Sequence, residues 1–243
     1  MLSQFPNLQN LIVSVSDNGG SIATSNKMYV AELWRYPVKS LAGEQIDVAE
    51  IHADGIAGDR RVLVYNEQTR NIITSRTQPK LLGLKAAINA QGVVLINGRP
   101  WDAPETEQAI ITAAGPQARL IEWDGLERFD ILPLLVATDG AIQEFGYDRR
   151  RLRPNIIIGG VDGLAEREWA GRRMRMGNVL IEFAQLRGRC VMTTYDPDTQ
   201  KKDPAVLKHI VKKFDGTLAL DTAVVQGGRI SVGDVAEFVD MSS

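Results

Sequence analysis

The chain has 243 residues, 44% hydrophobic and 24% charged, enough for one large domain or two modest ones that bury a core without disulfides. A formal net charge of -2 gives no global pull toward nucleic acid or an anionic membrane, so neither is expected as a partner and any anion site must be local. One cysteine, Cys190, and two distant histidines, His52 and His209, exclude an internal disulfide and an intrinsic Fe-S cluster and leave little basis for a His-based metal site or a Ser-His-Asp triad.

Residues 1–27 are rich in Ser, Asn and Gly and read as an N-terminal extension, with Leu11-Ile12-Val13 apolar enough to pair as a strand. There is no apolar run of about 18 residues and no basic-then-apolar start, so a cytoplasmic protein is expected. From Tyr29 to about Asp124, short β-type runs separated by turn residues follow one another: YVAELWRY, QIDVAEI, RRVLVYN, NIITS, LLGLKAAIN, GVVLING, AIITA and ARLIEW. Such spacing predicts an antiparallel barrel or sandwich. Asn97-Gly98 is a hairpin signal, because both central positions of a type I′ turn need positive φ.

After a boundary near 124–130, a helix is expected beyond Thr138-Asp139, capped by Asp139 and ending near Gly146, with Ala141, Ile142 and Phe145 at helical spacing. Strand-like runs follow at NIIIGG, RMRMG, VLIEFAQ and CVMTTY. A second helix is predicted over 204–214: Asp203 caps it, Pro204 fits its first position, and Val206, Ile210, Val211 and Phe214 form an apolar stripe. GGRISVGDVAEFV closes the chain as another β-hairpin reading.

Three segments carry groups suited to chemistry. In LRGRCVMTTYDPDT, residues 186–199, a single thiol is flanked by Arg187 and Arg189. Cationic neighbours favour the thiolate, which is both a nucleophile and a soft metal ligand; a lone cysteine is also commonly no more than a small buried hydrophobe. In WRYPVKS, residues 34–40, a proline turn presents Lys39 and Ser40 together, a workable phosphate grip or simply a polar turn. In RRRLRPN, residues 149–155, four guanidinium groups precede an apolar strand. Arg149–Arg151 are accounted for by a solvated helix end, whereas Arg153 and Asn155 are less so. Arg60 in GDRR and Arg76 in SRTQP each stand at the mouth of a strand, and the Arg172-Arg173-Met174-Arg175 run reads as a solvated β-edge.

Taken in order, WRYPVKSL, GDRR, LRPNIII and RCVMTTYDPDT resemble the MOSC family, and most of all its members with an N-terminal β-barrel, such as the amidoxime-reducing proteins. The resemblance spans Tyr29 to Val239. It implies a mostly β fold with a few helices, a MOSC N-terminal β-barrel domain over 28–124 and a MOSC β-barrel domain over 125–243. It further implies a molybdenum-pterin cofactor whose metal takes the Cys190 thiolate, with Lys39, Ser40, Arg60, Arg153, Asn155 and Arg189 gripping the cofactor. Reduction of a small N-hydroxylated substrate is then expected, with Asp196 or Asp198 as a candidate acid and a separate electron-donor protein. The alternatives are a sulfur carrier bearing a persulfide on Cys190 and supplied by a sulfur-donor protein, a cofactor-delivery module, and a non-enzymatic binding domain. The pyridoxal-phosphate desulfurase and ferredoxin-like domains fused in some relatives are not expected in these 243 residues. It also departs from many relatives in having Arg187 where a second cysteine stands, Gly188 where a hydrogen-bonding side chain is common, and Ile131 and Leu132 in Asp130-Ile131-Leu132-Pro133.

Overall fold

The computed structural model describes residues 27–125 and 128–239; the expected extension, with Leu11-Ile12-Val13, lies outside them apart from Lys27. The strands are β1 (Tyr29–Arg35), β2 (Glu44–Ile46), β3 (Val48–His52), β4 (Gly55–Ile56), β5 (Val62–Asn66), β6 (Ala86–Ile88), β7 (Val94–Ile96), β8 (Arg99–Pro100), β9 (Ala118–Glu122), β10 (Leu134–Thr138), β11 (Ile156–Gly159), β12 (Arg173–Met176), β13 (Val179–Gly188), β14 (Thr217–Gln226), β15 (Gly228–Ser231) and β16 (Ala236–Val239). The helices are α1 (Pro104–Ala114), α2 (Asp139–Phe145) and α3 (Pro204–Phe214). The fold is mainly β, as expected.

Eight strands form one sheet in the order β16-β12-β13-β14-β10-β11-β1-β2. The sheet curls: Tyr29 at the start of β1 bridges Val235 just before β16, and the Val30 N–H donates to the Asp234 carbonyl at 2.8 Å. The ladders themselves do not close into a ring. Every pairing in this sheet is antiparallel except β10 with β11. Strands from the two ends of the chain interleave, since β1 and β2 join the main sheet while β15 pairs with β3.

Inside the curl, Leu33, Val136, Ile156, Ile158, Phe183 and Met174 form one buried core. A second core of Val38, Leu41, Val62, Val64, Ile96 and Ile110 lies under β5–β9 and α1. A third, of Phe145, Leu152, Val206, Ile210 and Phe214, joins α2 to α3. Each fully buried aliphatic side chain contributes about 2 kcal/mol, so the loops running between these cores are anchored at both ends.

Several expectations are corrected. AIITA lies in α1, not in a strand: Pro104 at its start, Glu105 and Glu107 in its first turn and Gly115 after its end are helix signals, and Thr106, Ile110, Ala113 and Ala114 line its buried face. NIITS makes only an isolated bridge, Ile72 to Tyr65. CVMTTY is a 3-10 turn over Val191–Thr194, where the Thr193 and Thr194 hydroxyls donate to the carbonyls of Cys190 and Val191 and so compete with strand pairing. The last two strands are joined by a turn but pair with β3 and β12 and not with each other. Arg172–Arg175 is not an edge either, since β12 runs between β13 and β16. Thr138, one residue earlier than expected, caps α2 by accepting from the Ala141 N–H.

Candidate functional site

A cavity of about 310 Å3 opens where the cores meet, and Lys39, Ser40, Arg60, Arg153, Asn155, Arg189 and Cys190 all line it. Six segments distant in sequence converge there. Val38 and Leu41, both fully buried, anchor the turn after β1, and the bridge from Val38 to Val62 fixes it against β5. Between those anchors Lys39 and Ser40 are held at the cavity wall.

Three of the cavity residues have left-handed backbones: Ser40 (φ 74), Arg60 (φ 52) and Arg153 (φ 57). For residues with a Cβ this region costs about 1 kcal/mol or more and persists only where the surroundings impose it. Asp59 is one such constraint. It is 2% exposed, accepts from the Tyr36 N–H at 2.6 Å and from Asn155 Nδ2 at 3.2 Å, and pairs with the Arg60 guanidinium. The Arg60 N–H in turn donates to the Tyr36 carbonyl at 2.8 Å. One carboxylate thereby ties together the turn after β1, the GDRR loop and the start of β11.

Asn155 is fully buried, and its amide is committed within the protein. Its Oδ1 accepts from the Leu135 N–H at 3.2 Å, and its Nδ2 donates to the Trp34 carbonyl at 3.3 Å as well as to Asp59. It holds the wall together with groups that are already paired. Tyr36 lies 3% exposed beneath two guanidinium groups, Arg153 at 4.3 Å and Arg60 at 5.4 Å from its ring centroid, and its hydroxyl donates to the Pro154 carbonyl at 3.1 Å. Burial pushes the Tyr36 hydroxyl up to about 12.

Cys190 stands two residues after the end of β13, half-buried, with an extended backbone that starts the 191–194 turn. Its carbonyl accepts from both the N–H and the hydroxyl of Thr193, at 3.1 and 2.9 Å, which fixes the residue. Arg189 donates to the Leu152 carbonyl at 2.7 Å, while its Nε is buried without a partner. Arg187 pairs with Asp221, a fully buried carboxylate on β14.

Among the described residues, seven cationic side chains line the cavity against one carboxylate, Asp130. Asp130 is bridged by Arg76 at 2.9 Å, Lys39 at 3.3 Å and Arg187 at 4.0 Å. Burial alone would raise its carboxyl, but Lys39, Arg76 and Arg187 outweigh burial and hold it below the ordinary value of 3.8. Burial, aided by Arg60 and Arg76, lowers Lys39 in spite of Asp130. Burial also lowers Arg153, and it lowers Arg189 to about 10 with Arg187 adding to the effect. Among the described residues no carboxylate forms an ion pair with Arg153 or Arg189, so these two guanidinium groups are desolvated and uncompensated, a seat suited to an anion.

The sign of the Asp130 shift gives a testable expectation. A carboxyl depressed by folding stabilises the protein above its unfolded pKa, and that contribution disappears as pH falls through the folded one. Asp130→Asn should therefore melt below the parent at pH 7, and the two melting curves should converge under acid conditions below the ordinary 3.8. A difference that persists unchanged into acid would show that the carboxylate charge is not responsible.

Sequence reasoning found the cations and the thiol but not the carboxylates that arrange them. Asp59 stood inside the GDRR motif and Asp130 inside the DILP segment; nothing local marks Asp221. Asp196 and Asp198, expected near the chemistry, are engaged elsewhere. Asp196 pairs with Arg151 at 3.0 Å and Asp198 with Arg150 at 2.7 Å, and neither lines the cavity. Among the described residues no group of three or more His, Cys, Asp or Glu side chains is placed to hold a metal. Cys190 is the one thiol among the residues that line the cavity.

Residues 27–126 match the model of the MOSC N-terminal beta barrel domain, and residues 138–237 match that of the MOSC domain. Curated relatives include mitochondrial amidoxime-reducing component 1 of Homo sapiens, 25% identical over 238 residues, with 72% of this chain and 69% of that protein covered. Mitochondrial amidoxime reducing component 2 of Macaca fascicularis is 24% identical over 242 residues, with 72% and 70% covered. Among solved structures, the YUAD protein from Bacillus subtilis superposes with a TM-score of 0.49 at 14% identity, covering 87% of this chain and 95% of that one. The two matched segments supply most of the residues that line the cationic, cysteine-bearing cavity, and the chain belongs to the MOSC family, with an N-terminal MOSC beta barrel domain followed by a MOSC domain.

Proposed function

We propose that the protein binds a molybdenum-pterin cofactor through Cys190 and reduces small N-hydroxylated compounds with electrons from a separate donor protein. Family membership supports a role connected with the molybdenum cofactor, and the curated relatives are named for amidoxime reduction. The observation that carries the reading is the convergence of the one thiol with two buried guanidinium groups, Arg153 and Arg189, that form no ion pair with a carboxylate among the described residues. An anionic, phosphate-bearing group fits that donor set: the buried Arg189 Nε is an unsatisfied donor, the Arg153 fork forms no ion pair among the described residues, Lys39 adds a point charge and Ser40 a hydroxyl. A soft thiolate fits the metal end.

Two-electron redox chemistry at the metal is what the cofactor supplies when bound. The chain's own residues do the rest. Arg153, Arg189, Lys39 and Ser40 bind the anionic portion, while Asp59, Asn155 and Tyr36 keep those groups oriented. Phe129, Ile131, Leu132 and Met192 provide an apolar wall that limits water beside Cys190. The net reaction consumes two electrons and two protons per N–O bond, releasing the amine or amidine and water. Asp130 and Lys39 are the paired titratable groups in the cavity through which protons can pass. The relatives are named as mitochondrial, whereas this reading keeps the cytoplasmic setting expected from composition. No helix among the described residues is long and apolar enough to cross a membrane.

Protein produced in molybdenum-replete cells should carry the metal and, given a reductant, convert an amidoxime to its amidine. Arg153→Ala should retain the cofactor about 10- to 100-fold less well, the loss of one charge-assisted contact, while melting close to the parent. Absence of metal from the wild-type protein would overturn the reading, and a mass increase of one labile sulfur on Cys190 would replace it with sulfur carriage.

A further inference from the structure

The outer face of α3 and the residues leading into it carry a second concentration of positive charge. Lys201, Lys202, Lys208 and Lys212 are all exposed, and the helix itself, PAVLKHIVKKF, contains no acidic residue. Its buried side holds Val206, Ile210 and Phe214, which turns Lys208, Val211 and Lys212 outward together at i, i+3 and i+4. Val211 belongs to the apolar stripe expected from the sequence, yet it is 57% exposed. We propose that this face docks an acidic electron-carrier protein; the proposal rests on the function proposed above and names the kind of donor that serves it.

The charge is not neutralised within the protein. Among the described residues none of the four lysines pairs with a carboxylate, and the acids nearby are committed elsewhere: Asp196 to Arg151, Asp198 to Arg150, Asp215 to Arg167 and Glu144 to Lys213, while Asp203 caps α3. On a chain whose net charge is -2, such a local patch attracts an acidic partner and sets its orientation. Its size suits an encounter and not a stable complex. The helix has 11 residues, about 16 Å in length, and Val211 is an exposed aliphatic centre flanked by ammonium groups. Redox partners meet over small, charged contacts, whereas stable pairs bury about 1,600 Å2.

Position ties this face to the chemistry. The 191–194 turn that begins at Cys190 leads into it: the Asp203 N–H donates to the Thr194 carbonyl at 2.8 Å, the Asp196 N–H donates to the Lys201 carbonyl at 2.9 Å, and Tyr195 bridges Lys202. Leu152 lines the Cys190 cavity and belongs to the core that α3 buries. The thickness of one helix, about 10 Å, therefore stands between that core and the lysines. Among the described residues no side chain of α3 lines the cavity, so a carrier seated on this face leaves the cavity open to substrate. Each encounter with a one-electron carrier oxidises the carrier once, and two encounters supply the electron pair that breaks the N–O bond, with two protons taken up from solvent.

The test titrates the full chain, by calorimetry at low ionic strength, with two strongly acidic carriers, a plant-type iron-sulfur ferredoxin and a flavodoxin. At least one should saturate. Lys208→Glu/Lys212→Glu should weaken that binding about tenfold or more, and salt of about 0.5 M should erase the difference. Both substitutions place good helix formers at exposed positions, and thermal melting checks the fold; should the reversal impair folding, Lys208→Gln/Lys212→Gln should weaken binding about threefold. Arg70→Glu/Arg99→Glu, an equal change in net charge on turns of the N-terminal domain, should bind as the parent does. In cofactor-replete protein the α3 reversal should slow amidoxime reduction driven by the carrier and leave reduction driven by dithionite unchanged. Saturation by neither carrier, equal binding by the parent and the α3 variants, or lysine-dependent binding to phosphatidylglycerol vesicles in place of either carrier overturns the proposal. Metal content is measured separately: a chain that binds the carrier through these lysines but holds no molybdenum sinks the function proposed above and leaves the docking face standing.

Discussion

Cys190→Ala should abolish metal retention and turnover while leaving the fold intact. The thiol is half-buried and forms no side-chain hydrogen bond among the described residues, so its removal costs little packing, within about 1 kcal/mol. As the one cysteine of the chain, it has no substitute ligand. Loss of an outer-shell partner already costs a metal site about 10- to 100-fold, so loss of the protein's own ligand should lower both molybdenum content and amidoxime reduction by at least about 100-fold. Elemental analysis and turnover, measured on the same preparations with thermal melting as the control, check this. Full metal content in the alanine variant would show that the cationic cavity alone holds the cofactor and that the thiolate is not its ligand.

That prediction was within reach of the sequence because the thiol, its two arginines and the lysine-serine turn are recognisable as chemical types in short motifs. The same holds for α3, whose capping Asp203, first-position Pro204 and apolar stripe mark it from one end to the other, and for Asn97-Gly98, whose φ values of 50 and 80 are those of the expected turn. Long-range partners decide the rest. The run LLVAT of β10 is buried at every position, so no alternation marks it as a strand, and β14 is masked likewise by the unbroken buried run 218–222 in its first half. AIITA carries β-branched residues, and only the signals upstream and downstream of it make it helical. At the site, Arg187 looks like a neighbour that activates Cys190; in the fold it is paired with Asp221 and faces Asp130. No periodicity could have joined residues from β13, β14 and the 128–133 segment.

The largest effect on stability should come from Asp59. Asp59→Ala leaves the Tyr36 N–H and one Asn155 N–H without their acceptor and the Arg60 guanidinium, 16% exposed, without its counter-ion. A buried donor left unpaired costs about 1–3 kcal/mol, and breaking a buried ion pair about 3–5 kcal/mol. These overlap, so a total near 4 kcal/mol is expected, which for a chain of this size is a fall in melting temperature of about 10 °C. Asp59→Asn should be nearly as damaging. Its carbonyl can still accept from Tyr36, but its amide then presents N–H groups to Asn155 Nδ2 and Arg60, donor against donor. Arg60→Ala should cost less than either, because Asp59 keeps its bonds to Tyr36 and Asn155. That ordering, measured by thermal or urea unfolding, separates a carboxylate that organises three chain segments from one that merely neutralises a neighbour. Should Arg60→Ala prove as destabilising as Asp59→Ala, the ion pair alone would account for the effect. The left-handed turns at Ser40, Arg60 and Arg153 would then need another source of constraint.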